Sequence, residues 1–142
     1  MSDSAPLKVA YGDVEPTRRQ GGEIRVLLTP ASVGATAGFM GVLTIGPGEY
    51  VSEHYHPYSD EFLFVSEGAV DVRLDGEHVR LEADDALMVR RGTRHRLSCG
   101  GTQAAKLVFH LGPLAPRPNL GHVDTEPLPH PEAPVPKVGG QG

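Results

Sequence analysis

Between Ile24 and Leu111 the chain is a succession of short apolar runs, none longer than seven residues, divided by glycine, proline, aspartate and serine. The runs are IRVLL (24–28), FMGVLTI (39–45), YVSEH (50–54), EFLFV (61–65), AVDVRL (69–74), ALMV (86–89), RHRLS (94–98) and AKLVFHL (105–111). No stretch repeats apolar residues at helical spacing, and 18 glycines with 13 prolines punctuate too densely for a helical protein. In AVDVRL, Val70, Val72 and Leu74 share one face and Asp71 and Arg73 the other, the alternation of a half-buried strand. Asp75-Gly76 follows at once and signals a tight hairpin, because both residues tolerate positive φ. Many short strands at this spacing form an antiparallel sandwich or barrel. With no internal repeat, a single all-β domain is predicted.

Composition narrows the rest. At 142 residues the chain has one domain's worth of core, and with 39% apolar residues and no tryptophan that core must be Val, Leu and Ala. A formal charge of −5 argues against nonspecific nucleic-acid binding and against adhesion to anionic membranes. The N-terminus lacks an apolar signal core, the longest apolar run is far too short to span a bilayer, and the one cysteine cannot form an intrachain disulfide. A soluble cytoplasmic protein is the expectation. Residues 1–22 read as a polar N-terminal segment, 23–111 as the barrel, and 112–142 as a Pro-rich tail, its first part extended along the barrel and the remainder disordered. IRVLLTP is apolar on both faces, more than one sheet needs, so a homodimer is expected.

One stretch carries chemistry. In Gly48-EYVSE-His54-Tyr-His56-PYSD-Glu61-FLFVSE-Gly68 the two histidines alternate onto one strand face, with backbones roughly 7 Å apart. Metal–nitrogen bonds of about 2.0–2.1 Å let both imidazoles close on one ion. Glu61 opens the next run after a short loop and adds a carboxylate, a set suited to zinc, iron, manganese or nickel. Downstream, a strand, a turn at Gly92 and a second strand bring His95 to an inward position beside Leu97. His110 lies in the last run, where Lys106, Val108 and His110 share a face, and so short a run does not set which face looks inward. His78 reads as exposed, and His122 and His130 as solvated tail residues. Cys99 has no activating partner and reads as structural.

These two stretches resemble the paired motifs of the cupin superfamily. Every position of the first motif is met: Gly48, His54, His56, Glu61 and Gly68. The second is met in part, since Gly92 and His95 remain but Asp84, Arg90 and Cys99 stand where that motif has Gly, Pro and Asn. The resemblance implies a jelly-roll β-barrel with His54, His56, Glu61 and His95 as metal ligands. More finely, the chain is similar to the small single-domain cupins of aromatic (type II) polyketide pathways in actinomycetes, polyketide cyclases of the resistomycin type among them. It shares their extra N-terminal strand, an Arg-Gly-x-x-His-Arg turn and the Phe-His-Leu-Gly-Pro stretch that holds His110.

That resemblance implies an enzyme with one divalent ion per subunit, zinc first, with iron, manganese or nickel as alternatives. Its reaction would be intramolecular aldol cyclisation and dehydration of a poly-β-ketone, free or presented by a carrier protein. His54, His56, His95 and His110 would be the catalytic residues, and His110 competes with Glu61 for a place on the metal. Leu43, Ile45, Leu63, Val65, Val72 and Leu97 would shield the chain from water. An iron-dependent dioxygenase or monooxygenase on an aromatic polyketide is the alternative, and a non-catalytic ligand-binding module is a third class.

Overall fold

The structure is a computed structural model, and it describes residues 5–139. Ten strands follow one another: β1 (Glu23–Leu28), β2 (Phe39–Ile45), β3 (Tyr50–Tyr55), β4 (Asp60–Glu67), β5 (Val70–Leu74), β6 (Glu77–Leu81), β7 (Ala86–Val89), β8 (His95–Cys99), β9 (Ala105–Gly112) and β10 (Val123–Asp124). They form two five-stranded antiparallel sheets, ordered β1-β2-β9-β4-β7 and β10-β3-β8-β5-β6. A single helical turn, α1 (Pro30–Val33), starts where Thr29 and Ser32 form a reciprocal capping box with proline at the first turn. No helix among the described residues is long and apolar enough to cross a membrane.

Each expected run becomes a strand, and strand alternation puts the apolar positions between the sheets. Ile45, Val65, Val70, Val72, Ala105 and Leu107 are wholly buried there. The Asp75-Gly76 turn has positive φ at both residues, 46° and 88°, the geometry whose twist suits a two-residue hairpin. It returns the chain into β6, which the apolar runs do not reveal, because this edge strand (EHVRL) is largely exposed. The motif departures fit the same backbone. Asp84 adopts φ 74° where the motif has glycine, and Gly92 turns the chain at φ 84° into β8. Cys99 donates its thiol hydrogen to the carbonyls of Gly101 and Gln103, a structural role.

The Pro-rich tail runs back across the open end of the sandwich. Ser59 donates to the Pro113 carbonyl, β10 pairs with β3, and Glu126 accepts from the Glu53 amide. Pro131, Pro134 and Pro136 remove three backbone donors from residues 130–138, which form no strand. Their carbonyls are instead used by the N-terminal segment: Arg19 reaches Pro131 and Ala133, and Thr17 reaches Pro134. Ala31 in α1 donates to Val138 at 3.1 Å. Two chain ends therefore clamp one another over one mouth of the barrel.

Candidate metal centre

Three strands deliver the site. His54 on β3 and His95 on β8 are direct cross-strand partners, so their side chains emerge side by side on the inner face. A register shift between Val51 and His54 breaks the β3–β8 ladder just before the histidine pair. His56 follows directly after β3, and Glu61 is the second residue of β4 in the facing sheet. The ring centroids lie 4.9 Å apart for His54 and His56, 4.2 Å for His54 and His95, and 5.2 Å for His56 and His95. One donor atom from each of His54, His56, Glu61 and His95 lies within 4.8 Å of all the others, and all four residues are buried. Ligands at about 2.1 Å from an ion stand about 3.0–3.4 Å apart, or about 4.2 Å when opposite, so small adjustments would seat a cation.

The hydrogen bonds settle which atoms face the centre. The Nδ1 atoms of His54, His56 and His95 lie 2.7, 2.9 and 2.9 Å from the carbonyl oxygens of Ser52, Gly121 and Thr93. A carbonyl can only accept, so each Nδ1 carries the proton and each Nε2 presents a lone pair. Glu61 Oε1 lies 3.0 Å from His95 Nε2 and 3.6 Å from His56 Nε2, yet both ring nitrogens are buried with no aligned hydrogen-bond partner. Lone pairs aimed at a carboxylate repel unless a positive charge sits among them. Backbone-anchored imidazoles of this kind are the usual surround of a bound metal.

The titration shifts agree. Burial, reinforced by His95, His122 and His56, pushes His54 well below the ordinary imidazole range. Burial pushes the Glu61 carboxyl up, but His56 and His95 outweigh it and hold the group well below the usual carboxylate range. Burial lowers His95 as well, and Glu61 more than reverses this, so its value is raised. This cluster could hold a metal ion, with four protein donors and room for further ones.

That room is a cavity of about 780 Å³ whose lining includes His54, His56 and Glu61. Leu43, Leu63 and Leu97 line it as expected, whereas Ile45, Val65 and Val72 lie behind them as fully buried core. The clamped tail supplies much of the remaining wall, including Leu114, Leu128 and Val135.

His110 is not brought to the cluster. Phe109 and Leu111 are buried between the sheets, so alternation turns His110 onto the outer face of β9, exposed and 6.0 Å from the Phe62 ring. Glu61 lies in the buried cluster, whereas His110 lies on the opposite, exposed face of its strand. A different histidine packs against the cluster. His122, expected to be solvated, stacks on His54 with centroids 4.4 Å apart and planes 18° off parallel. Its Nε2 lies 2.6 Å from Asp124 Oδ1 and its Nδ1 3.3 Å from the Gln20 amide. Burial lowers its pKa, with Asp124 acting in the opposite sense. The sequence carries little signal for this residue, because β10 has two residues and is set in the proline-rich tail.

The cupin domain family matches residues 41–111. The chain is 58% identical over 137 residues to the tetracenomycin polyketide synthase protein TcmJ of Streptomyces glaucescens, covering 96% of this chain and 92% of that one. It is 54% identical over 126 residues to the polyketide synthase CurC of Streptomyces cyaneus, covering 89% of this chain and 82% of that protein. Among solved structures, the fold is similar to an oxalate decarboxylase of Lactobacillus farciminis in a formate complex, with a TM-score of 0.69 at 16% identity over 80% of this chain and 34% of that one. On these grounds, together with the two sheets and the paired motifs they carry, the chain belongs to the cupin family, among cupins associated with type II polyketide synthases.

Proposed function

We propose that the chain is a metal-dependent cyclase that closes a ring in an aromatic poly-β-ketone by intramolecular aldol condensation and loss of water. The observation that carries this reading is the set of three Nδ1-anchored imidazoles and Glu61 beside a cavity whose walls are largely, though not wholly, apolar. His54, His56, Glu61 and His95 would hold one divalent ion, zinc first. Such an ion supplies Lewis acidity to a ketone oxygen, which stabilises enolate character at the neighbouring carbon.

The chain's own residues do the rest. The apolar walls fold the polyketide and exclude water, and a cavity of this size suits a multi-ring carbon skeleton. Asp124 fixes the His122 proton on Nε2, leaving Nδ1 as the basic atom beside the cluster, covered by the Gln20 amide. His122 thereby occupies the place of a general base for the α-proton and returns that proton to the alkoxide formed on C–C closure; loss of a second α-proton then expels the β-hydroxyl, which takes up a proton and departs as water as the C=C bond forms. The substrate is a small molecule, free or presented by a carrier protein.

Glu61 favours a second reading. An anionic ligand lowers the net charge of the ion and favours higher oxidation states, which suits iron or manganese and oxygen chemistry on an aromatic polyketide. Anaerobic incubation of the metal-loaded protein with a poly-β-ketone separates the two. The cyclase reading expects ring-closed product lighter by water without oxygen; product formed only with oxygen, and heavier by oxygen atoms, overturns it.

A further inference from the structure

The wall of the large cavity carries one positive charge that no carboxylate among the described residues neutralises. Arg19 is the only lysine or arginine among the described residues that line the cavity, and Glu61 and Asp124 are the lining carboxylates. Both carboxylates are already taken. Glu61 lies against His95 and His56, and Asp124 lies 2.6 Å from His122 Nε2. Among the described residues the Arg19 side chain meets two acceptors, the carbonyl oxygens of Pro131 and Ala133, at 2.6 and 3.0 Å. Carbonyl dipoles satisfy donors but leave the full charge in place.

Both of those bonds leave from Nη1. The Nε–H and Nη2 groups form the other edge of the guanidinium, the pair of parallel donors that takes two oxygens side-on. Charge in a largely apolar cavity is costly unless it is paired. The segment that carries Arg19 is itself held: its amide donates to Thr17 Oγ1 at 3.3 Å, and its carbonyl accepts from the His130 amide at 3.2 Å. Gln20, next in the chain, places its amide 3.3 Å from His122 Nδ1, and His122 stacks on His54. One short segment thus contributes the guanidinium to the same cavity that the metal cluster lines.

Resting on the cyclase reading for the class of substrate, we propose that Arg19 is a specificity-determining residue that binds a planar pair of oxygens sharing one negative charge. Two parts of a poly-β-ketone present that chemistry. A β-dicarbonyl unit in its enolate form holds two oxygens side by side with the charge spread over both. A terminal carboxylate does the same. Either matches the open edge of the guanidinium, and an isolated ketone does not.

The consequence is a two-point hold. One ketone oxygen meets the cluster and an oxygen pair elsewhere on the chain meets Arg19, which fixes how many carbons lie between the two. Register of that kind selects which carbon faces which carbonyl, and the outcome of ring closure depends on it. The same guanidinium ties down the tail through Pro131 and Ala133, so the anchor for the substrate and the anchor for part of the cavity wall are one residue.

Calorimetric titration of the metal-loaded full chain tests this without turnover, so its result stands apart from whether a ring is closed. Three probes share one aromatic body: naphthoate, the enolate of naphthoylacetone, and the neutral ketone acetylnaphthalene. Arg19→Gln should weaken binding of at least one of the two anions by about 10-fold or more, the weight of hydrogen bonds to a charged group, and leave the ketone unchanged. Loss confined to naphthoate assigns a carboxylate to the site, and loss confined to the enolate assigns a β-dicarbonyl. Arg19→Lys keeps the charge but loses the fork; it should fall between, and it decides the matter if the glutamine variant does not fold. Thr17→Val loosens the same tail segment at Pro134 and spares the guanidinium, so it should keep the wild-type preference for the anions. Any pull of the ion on these oxygens is common to all four proteins, and the same differences are expected after chelation. Equal weakening of all three probes in Arg19→Gln, or loss of the preference in Thr17→Val, reduces Arg19 to a holder of the tail and overturns the proposal. Unchanged affinity for both anions in the Arg19 variants overturns it as well.

Discussion

Removing the metal should destabilise the fold by an amount that the ligand set controls. A ligand that binds only the folded state at 100 times its dissociation constant stabilises by about 2.7 kcal/mol. Unfolding entropy near the melting temperature is about 2.1 cal/mol/K per residue, or about 300 cal/mol/K for this chain of 142 residues. The shift in melting temperature is therefore about 9 °C between chelator-treated and metal-loaded protein, read by scanning calorimetry. Replacing both His54 and His56 with alanine should abolish it. Glu61→Gln keeps the shape but removes the anion. If it costs at least the 10–100-fold in affinity that even an outer partner of a metal ligand contributes, the shift at the same metal concentration falls below about 5 °C. His110→Ala should leave the full shift, because that imidazole is on the outer face. A full shift in the double alanine variant, or its loss in His110→Ala, would refute the assignment of the centre.

Three further outcomes follow from particular contacts. His122→Phe preserves the stack on His54 but removes the basic nitrogen, so turnover should fall by about 10²–10⁴-fold while metal content stays unchanged. Glu126 ties the tail to β3 and β8; burial raises its pKa, but the Glu53 amide and Arg96 lower it overall. A lowered folded pKa gives stability that is present above the unfolded value and lost as pH falls through the folded one, so protease cleavage of the tail should rise on acidification in wild type but start high and flat in Glu126→Gln. Leu107 is wholly buried between the sheets, and Leu107→Ala should cost about 2–5 kcal/mol in denaturant unfolding.

The parts of this architecture that follow alternation were legible in the residues. Val70, Val72 and Leu74 declared a half-buried strand, Asp75-Gly76 declared its hairpin, and His-x-His declared a shared face. Glu61 and His95 then followed from the paired-motif spacing. His110 was less legible because Val108 puts an apolar residue between Lys106 and His110 on their shared face, and so short a run does not by itself set which face looks inward. β6 escaped notice because its outward residues are polar at a sheet edge. His122 escaped because its place depends on a long-range pairing of Asp124 with His54, which no local pattern encodes.

The metal coordination shell tests the account most directly. X-ray absorption at the metal edge of the loaded protein should find three imidazole nitrogens and one carboxylate oxygen from the protein, with one imidazole lost in His95→Ala and the oxygen lost in Glu61→Ala. A shell of four imidazoles unaltered by Glu61→Ala, or one lacking imidazole altogether, would contradict it.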